Sequence, residues 1–347
     1  MFVYEIKNSQ LKAVIKETKS KVVYLTEYRP NGLLLIIKQF KELCQKELLQ
    51  LQNEIAGLRQ LCHQNILKVE LSFVDDLEIV IVQKCMKFGS CKDVMDRFLV
   101  VGFPELVVSL IVRDMLLAID YLHKKGYIHR SIKASHILLD DRAVLMGFKE
   151  CVNIIQNGKR LSKLFDLPLS PKELIWAAPE MLEQNLCGYN QKSDIYSLGI
   201  TMCELGNNIT PYAEMGYTLI LTEKLKGNQP SLLDCSTYTV DTDMNAENLN
   251  CFATRKFYAS RKLSDPFHNF VEICLQKDPH SRPEAEKLLS HPFIKQSKHT
   301  SLKQELNEEL KIDPLSRIQE FSEEKNEFSL ITDKMKNMNI SDVDWNF

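Results

Sequence analysis

His129-Arg130-Ser131-Ile132-Lys133-Ala134-Ser135-His136 is the stretch on which the reading of this chain turns. It is polar, and apolar residues three or four apart over positions 106–123 place a helix just before it. Downstream stand three short signatures: Gly147-Phe148-Lys149, Ala178-Pro179-Glu180 and Ser193-Asp194-Ile195-Tyr196-Ser197-Leu198-Gly199. Helical spacing recurs at 192–205, 266–275 and 285–289, so everything after the Phe88-Gly89-Ser90 turn reads as α-rich. The first eighty or so residues differ. Val22-Val23-Tyr24-Leu25, Leu33-Leu34-Leu35-Ile36-Ile37 and Ile79-Val80-Ile81-Val82 read as strands, and Pro30-Asn31-Gly32 as a turn. Between them Leu48, Leu51, Ile55 and Leu58 predict one helix within 42–61. The expectation is an α+β chain in two parts: a small β-rich part over 1–87 and a larger α-rich part over 88–295. Residues 234–264, polar and poor in period, read as a surface insertion, and 296–347 as a charged tail that is mobile when alone.

Composition narrows the function classes. With 347 residues, 44% of them hydrophobic, the chain can bury a sizeable core. Lys+Arg 44 against Asp+Glu 46 leaves no basic field of the kind that draws a protein to nucleic acid. Ten cysteines form no C-x-x-C pair and meet no His cluster at ligand spacing, so no metal is expected, and most cysteines are expected to be buried and reduced. Met-Phe-Val-Tyr-Glu-Ile is no leader, and the apolar run 33–37 is too short to span a bilayer, so the reading is a soluble intracellular protein without a membrane partner.

Taken in order, the signatures resemble the eukaryotic protein kinase family over about residues 4–295. Leu35-Ile36-Ile37-Lys38 resembles its V-A-I-K strand, Glu54 its helix glutamate, and 129–136 its H-R-D-L-x-x-x-N loop. Gly147-Phe148-Lys149 stands where D-F-G belongs, and Ala178-Pro179-Glu180 matches A-P-E. The resemblance implies a bilobal kinase-like fold.

Against that pattern the chemistry fails. Phosphoryl transfer needs a carboxylate to orient the attacking hydroxyl, and its place is taken by Ser131. Magnesium needs hard oxygen ligands, yet the D-F-G aspartate is Gly147 and the loop asparagine is His136. The glycine-rich loop aligns with Lys16-Glu17-Thr18-Lys19-Ser20-Lys21-Val22-Val23, which holds no glycine. A positioned base alone is worth on the order of 10²–10⁴ in rate. These defects predict a pseudokinase with no catalytic residue and no metal, and no residue that restores either role.

The resemblance also implies what survives. Lys38 and Glu54 would form the strand-to-helix ion pair, Leu58, Phe148 and His129 would stack in a hydrophobic spine, and Glu180 with Arg282 would form a buried ion pair. Ile15, Val23, Ile36 and Leu138 resemble the walls around adenine, with Gln83 as gatekeeper and Lys84-Cys85-Met86 as hinge. ATP bound there would lack magnesium, and Lys38, Lys149 and Lys16 or Lys21 are candidates to meet its phosphates, the alternative for the last three being a solvated basic rim.

Among kinase-like proteins, the errors at 129–138 and 147–149 and the segment 185–197 are similar to those of the Sterile-twenty-related adaptor pseudokinases. That family ends in Trp-Glu-Phe; this chain ends in Trp345-Asn346-Phe347. The resemblance implies that Trp345 and Phe347 dock on a helical-repeat scaffold of the calcium-binding protein 39 type. It implies a trimer with a serine/threonine kinase of the liver kinase B type, held active in the cytoplasm, with the nucleus as a second compartment. Two alternatives remain open: a weak metal-independent kinase, and an interaction module that needs no nucleotide.

Overall fold

The computed structural model describes residues 8–75, 77–166, 171–183, 188–237 and 249–312. These divide into two compact units that part after Phe88.

The first unit is an antiparallel sheet in the order β1-β2-β3-β5-β4. Its strands are β1 (Ser9–Thr18), β2 (Lys21–Tyr28), β3 (Leu33–Phe40), β4 (Leu71–Asp75) and β5 (Glu78–Lys84). Alternation decides which side chains share a face. On β3, Leu35 and Ile37 are each 1% exposed and join Val22, Tyr24, Val80 and Val82 in one cluster, while Leu34 and Ile36 point the other way toward Ala13 and Leu25. The Pro30-Asn31-Gly32 turn closes on Tyr28 O, with Gly32 at φ 67, a backbone open to glycine at no steric cost. One helix, α1 (Gln45–Gln60), buries Leu51, Ile55 and Leu58, and the Glu47 side chain accepts from the Cys44 N–H at its start.

In the second unit, α2 (Cys91–Phe98) leads into α3 (Glu105–Lys124), which is apolar nearly all round: Val108, Leu110, Ile111, Val112, Met115, Leu116, Ala118, Ile119 and Leu122 are wholly buried. A three-stranded sheet joins β6 (Gly89–Ser90), β8 (Ile137–Leu139) and β9 (Ala143–Leu145), and β7 (Tyr127–Ile128) pairs with Val152–Asn153. Then follow α4 (Pro179–Leu182), α5 (Lys192–Asn207), α6 (Tyr217–Lys226), α7 (Leu249–Ser260) and α8 (Asp265–Cys274). Helix α5 is buried along its whole length but its first residue, and it ends where Asn208 takes a left-handed φ of 52. Ser264 caps α8 by accepting from Phe267 N–H.

Three expectations change. The stretch 234–264 is not a plain surface insertion: it contains α7, whose Tyr258 is 2% exposed, and it is anchored at both ends. Asp234 accepts from Leu263 N–H and lies 2.8 Å from His268 Nε2, while Arg261 donates to the carbonyls of Leu233, Val101 and Gly206. Such anchoring joins polar side chains to backbone and leaves no hydrophobic period. Residues 296–312 belong to the second unit, with Leu302, Leu306 and Ile312 buried and Arg113 donating to Ser297 O at 2.7 Å. Of the eight described cysteines only Cys85, Cys91, Cys203 and Cys274 are buried; Cys44, Cys62 and Cys235 are exposed. No described helix is long and apolar enough to cross a membrane. Trp345 and Phe347 lie outside the described residues.

Candidate functional site

The decisive loop follows β7. His129 and Arg130 turn it by donating their backbone N–H groups to Asp194, each at 2.9 Å, while His123 Nε2 stands 2.9 Å from the same carboxylate. Arg130 sits at φ 62, a strained conformation for a non-glycine residue, worth about 1–3 kcal/mol. Asp194, at the buried start of α5, holds it there. Burial alone would raise the Asp194 carboxyl, but hydrogen bonds from His123 and from the His129 backbone keep it below the usual range.

His129 is fully buried, with its ring edge-on to Phe148 at 4.7 Å, and burial pushes it down to about 4. A group charged in the unfolded chain near pH 6.5 and neutral in the native state down to about 4 binds more protons unfolded across that window. Stability is therefore whole above about pH 6.5 and falls as pH drops toward 4, by about 3 kcal/mol for a shift of that size. Urea unfolding at pH 7 and pH 4.5 is expected to show this loss in the wild type and a smaller one in His129→Gln; an equal loss in both assigns it to other groups.

At the centre, Ser131 Oγ donates to Glu173 Oε2 at 2.7 Å and lies 3.1 Å from His136 Nδ1. Lys133 Nζ donates to Glu173 Oε1 at 2.6 Å, and His136 Nδ1 stands 2.8 Å from Ser131 O. Burial favours a neutral Glu173, yet the bonds from Lys133 and Ser131 outweigh it and hold its carboxyl below the normal value. His136 is driven down by burial and by the Lys133 charge.

Here the sequence reading needs correcting. It left no carboxylate at the centre, but the fold carries Glu173 there from 42 residues away along the chain. Nothing about a lone glutamate before Ala178-Pro179-Glu180 marks it; only proximity to Ser131 does. Both its oxygens are engaged by the protein itself. Gly147, at φ 88, closes the centre: a Cβ there would come within 2.4 Å of His136 Nδ1. Positions 136 and 147 are thus sterically linked, since the imidazole at 136 stands where a Cβ at 147 would lie. Among the described residues no cluster of His, Cys, Asp or Glu could hold a metal.

Arg130, Asp166 and Tyr189 form a second junction that the sequence reading missed. Arg130 Nη1 donates to Asp166 Oδ2 at 2.5 Å and to Tyr189 OH at 2.9 Å, and Tyr189 donates to Asp166 Oδ1 at 3.0 Å. The predicted Glu180–Arg282 pair is present, with two parallel bonds of 2.6 and 2.8 Å. Also in this unit, Leu138 is half-buried in β8 and Lys149 is exposed beside Phe148.

The remaining predicted residues belong to the first unit. Strand register pairs Val23 with Lys38 and Ile36 with Gln83, so all four share one face of the sheet, and Ile15 packs in the cluster on that side. The Gln83 Oε1 atom is buried without a hydrogen-bond partner. Burial, then the Lys21 charge, push Lys38 down to about 8, and Glu54 on α1 partly offsets them. Lys84 is exposed and Met86 half-buried, while the Cys85 N–H between them is bonded to Leu34 O at 3.0 Å. Thr18 to Lys21 form a tight hairpin in which the Thr18 hydroxyl donates to Lys21 O at 3.0 Å, and no described residue of 16–23 needs a positive φ. Leu58 is buried on α1.

This arrangement of sheet, loop and helices is that of a protein kinase domain, and residues 17–294 match the family model of that description. The chain is 40% identical over 301 residues to STE20-related kinase adapter protein alpha of Gallus gallus, covering 80% of this chain and 77% of that one. It is 38% identical over 305 residues to the alpha protein of Homo sapiens, covering 80% and 69%, and 34% identical over 303 residues to the human beta protein, covering 80% and 72%. The chain belongs to the STE20-related kinase adapter family.

Proposed function

We propose that this protein is a catalytically inactive pseudokinase, an adaptor that binds a serine/threonine kinase of the liver kinase B type and shifts it to its active state. The observation that carries the reading is the centre itself: Ser131 stands where the base belongs, and the Glu173 carboxylate that reaches it is bonded to Ser131 and Lys133. A carboxylate bonded through both oxygens and held below its normal pKa is a weak base for a substrate's proton. The relatives' names, which speak of kinase adapters, support the same reading. An adaptor that binds only the active form of its client shifts the equilibrium by its differential affinity.

Trp345 and Phe347 supply the aromatic anchors for a helical-repeat scaffold of the calcium-binding protein 39 type, completing a trimer in the cytoplasm and nucleus. The protein also binds ATP without magnesium. The apolar Ile15, Val23 and Ile36, the unpartnered Gln83 Oε1 and the cation of Lys38, gathered on one side of the first unit's sheet, fit the base and phosphates of a nucleotide. Bound ATP serves here to stabilise the fold, by about 2.7 kcal/mol at a hundredfold excess over Kd.

Pull-down with the intact chain and with 345–347 deleted tests the partners. The deletion is expected to lose the scaffold and to reduce client recovery at least tenfold; undiminished recovery of both overturns the docking assignment. Metal-dependent phosphorylation by the purified chain, abolished by Lys38→Ala, overturns the inactive reading.

A further inference from the structure

In a working kinase the loop carboxylate must stay free for a substrate hydroxyl; here the carboxylate comes from residues 147–180, the activation segment, and is closed onto the loop. Glu173 lies in the short turn Pro171–Ile175, only 8% exposed, and each of its oxygens takes a hydrogen bond from a loop side chain, 2.7 Å from Ser131 and 2.6 Å from Lys133. Bonds of this kind to a desolvated carboxylate are charge-assisted and stronger than neutral ones. The residues that follow are fixed as firmly. Lys224 on α6 donates to the carbonyls of Leu174, Ile175 and Ala177 at 3.0, 2.6 and 2.6 Å, and Ser197 on α5 donates to Trp176 O at 2.8 Å. The Trp176 indole donates to Glu204 at 3.2 Å, and Lys133 Nζ lies 5.1 Å from the centre of its ring. On the other side of residues 167–170, Arg130 holds Asp166, a carboxylate where a phosphate could otherwise be engaged by the same guanidinium.

We infer that Glu173 is a built-in latch: it fastens the activation segment to the degenerate catalytic loop, so that the segment keeps its partner-facing shape with neither nucleotide nor phosphorylation. This rests on the proposed function and takes residues 147–180, the activation segment, as the surface that meets the client kinase; it adds how that surface is regulated. The ligand of the vacated catalytic position is the chain's own carboxylate, both of whose oxygens are used. A loop closed by its own side chains needs no metal–phosphate bridge to order it, which makes client engagement independent of nucleotide.

Hydrogen exchange on the full chain tests this, with Glu173→Ala and the isosteric Glu173→Gln, reading peptides over 171–180 against α5 as the global reference. The expected result is at least tenfold faster exchange over 171–180 in Glu173→Ala with α5 unchanged, and about threefold in Glu173→Gln, which keeps the shape and carries the test if the alanine variant does not fold. ATP in EDTA is expected to leave the wild-type segment unchanged within twofold. Unaltered exchange over 171–180 in both variants, acceleration shared equally by α5, or a tenfold ATP-dependent slowing in the wild type each overturns the latch. Recovery of the client kinase with its scaffold is expected to fall about tenfold in Glu173→Ala. A wild-type chain that recovers no client refutes the proposed function, and the exchange result stands or falls separately from it.

Discussion

Arg282→Ala is expected to destabilise the second unit by about 3–5 kcal/mol, the range found when one partner of a buried ion pair is removed and the other is left uncompensated. Arg282 is 1% exposed and Glu180 8%. Besides its paired bonds to Glu180, the guanidinium donates to Gln276 O at 2.6 Å, Lys277 O at 2.9 Å and Lys192 O at 3.1 Å, and its carbon lies 4.9 Å from the centre of the Tyr196 ring. Truncation thus strands a carboxylate and three carbonyls together. Lysine cannot replace it, because a single ammonium does not reproduce the planar fork. A neighbouring cation moderates the loss. Lys224, whose pKa burial has pushed down to about 7, is held down further by Arg282 and sustained by Glu180. With Arg282 gone Lys224 keeps its proton to higher pH and gives Glu180 a partial partner. The thermal midpoint is expected to fall by roughly 6–20 °C at about 2–4 °C per kcal/mol for a domain of this size. A fall of under 3 °C in Arg282→Ala shows that the pair holds little of the fold.

Gly147→Asp, which would put the kinase family's aspartate at this position, is expected to fail twice. The added Cβ meets His136 Nδ1 at 2.4 Å, and φ 88 is a region that side chains rarely adopt. Overpacking costs about 1–3 kcal/mol and the backbone strain another 1–3, so the variant loses about 2–6 kcal/mol. Adding His136→Asn removes the ring and is expected to recover the overpacking part, because only the strain at 147 remains. Neither variant is expected to transfer phosphate, since position 131 is still serine and Glu173 is still bonded to it. Equal stability losses for Gly147→Asp with and without His136→Asn would break the steric link between the two positions, as seen in chemical denaturation of each.

The fold was legible because its marks are local. Strand alternation at 22–25, 33–37 and 79–82, and helical period at 106–123, 192–205 and 266–275, repeat a pattern that the buried face imposes on the sequence. The Pro30-Asn31-Gly32 turn is equally local. Where the reading missed, burial works through groups without period. Tyr258 and Arg261 fasten residues 234–264 through a hydroxyl and a guanidinium bonded to backbone. Leu302 and Leu306 were visible at helical spacing, but spacing does not say which surface receives them.

The site divides the same way. Sequence alone determined which side chains stand in the loop and beyond it, namely serine at 131, histidine at 136, glycine at 147 and no glycine over 16–21, because a residue's chemistry is fixed by its identity wherever it lies. Only the tertiary structure decided what fills the space. Glu173 and Asp166 reach the loop across long stretches of chain, and Gly147 is bound to His136 by steric exclusion rather than by any spacing. Such pairings depend on distances of a few ångströms in three dimensions, and no order of letters along one dimension contains them.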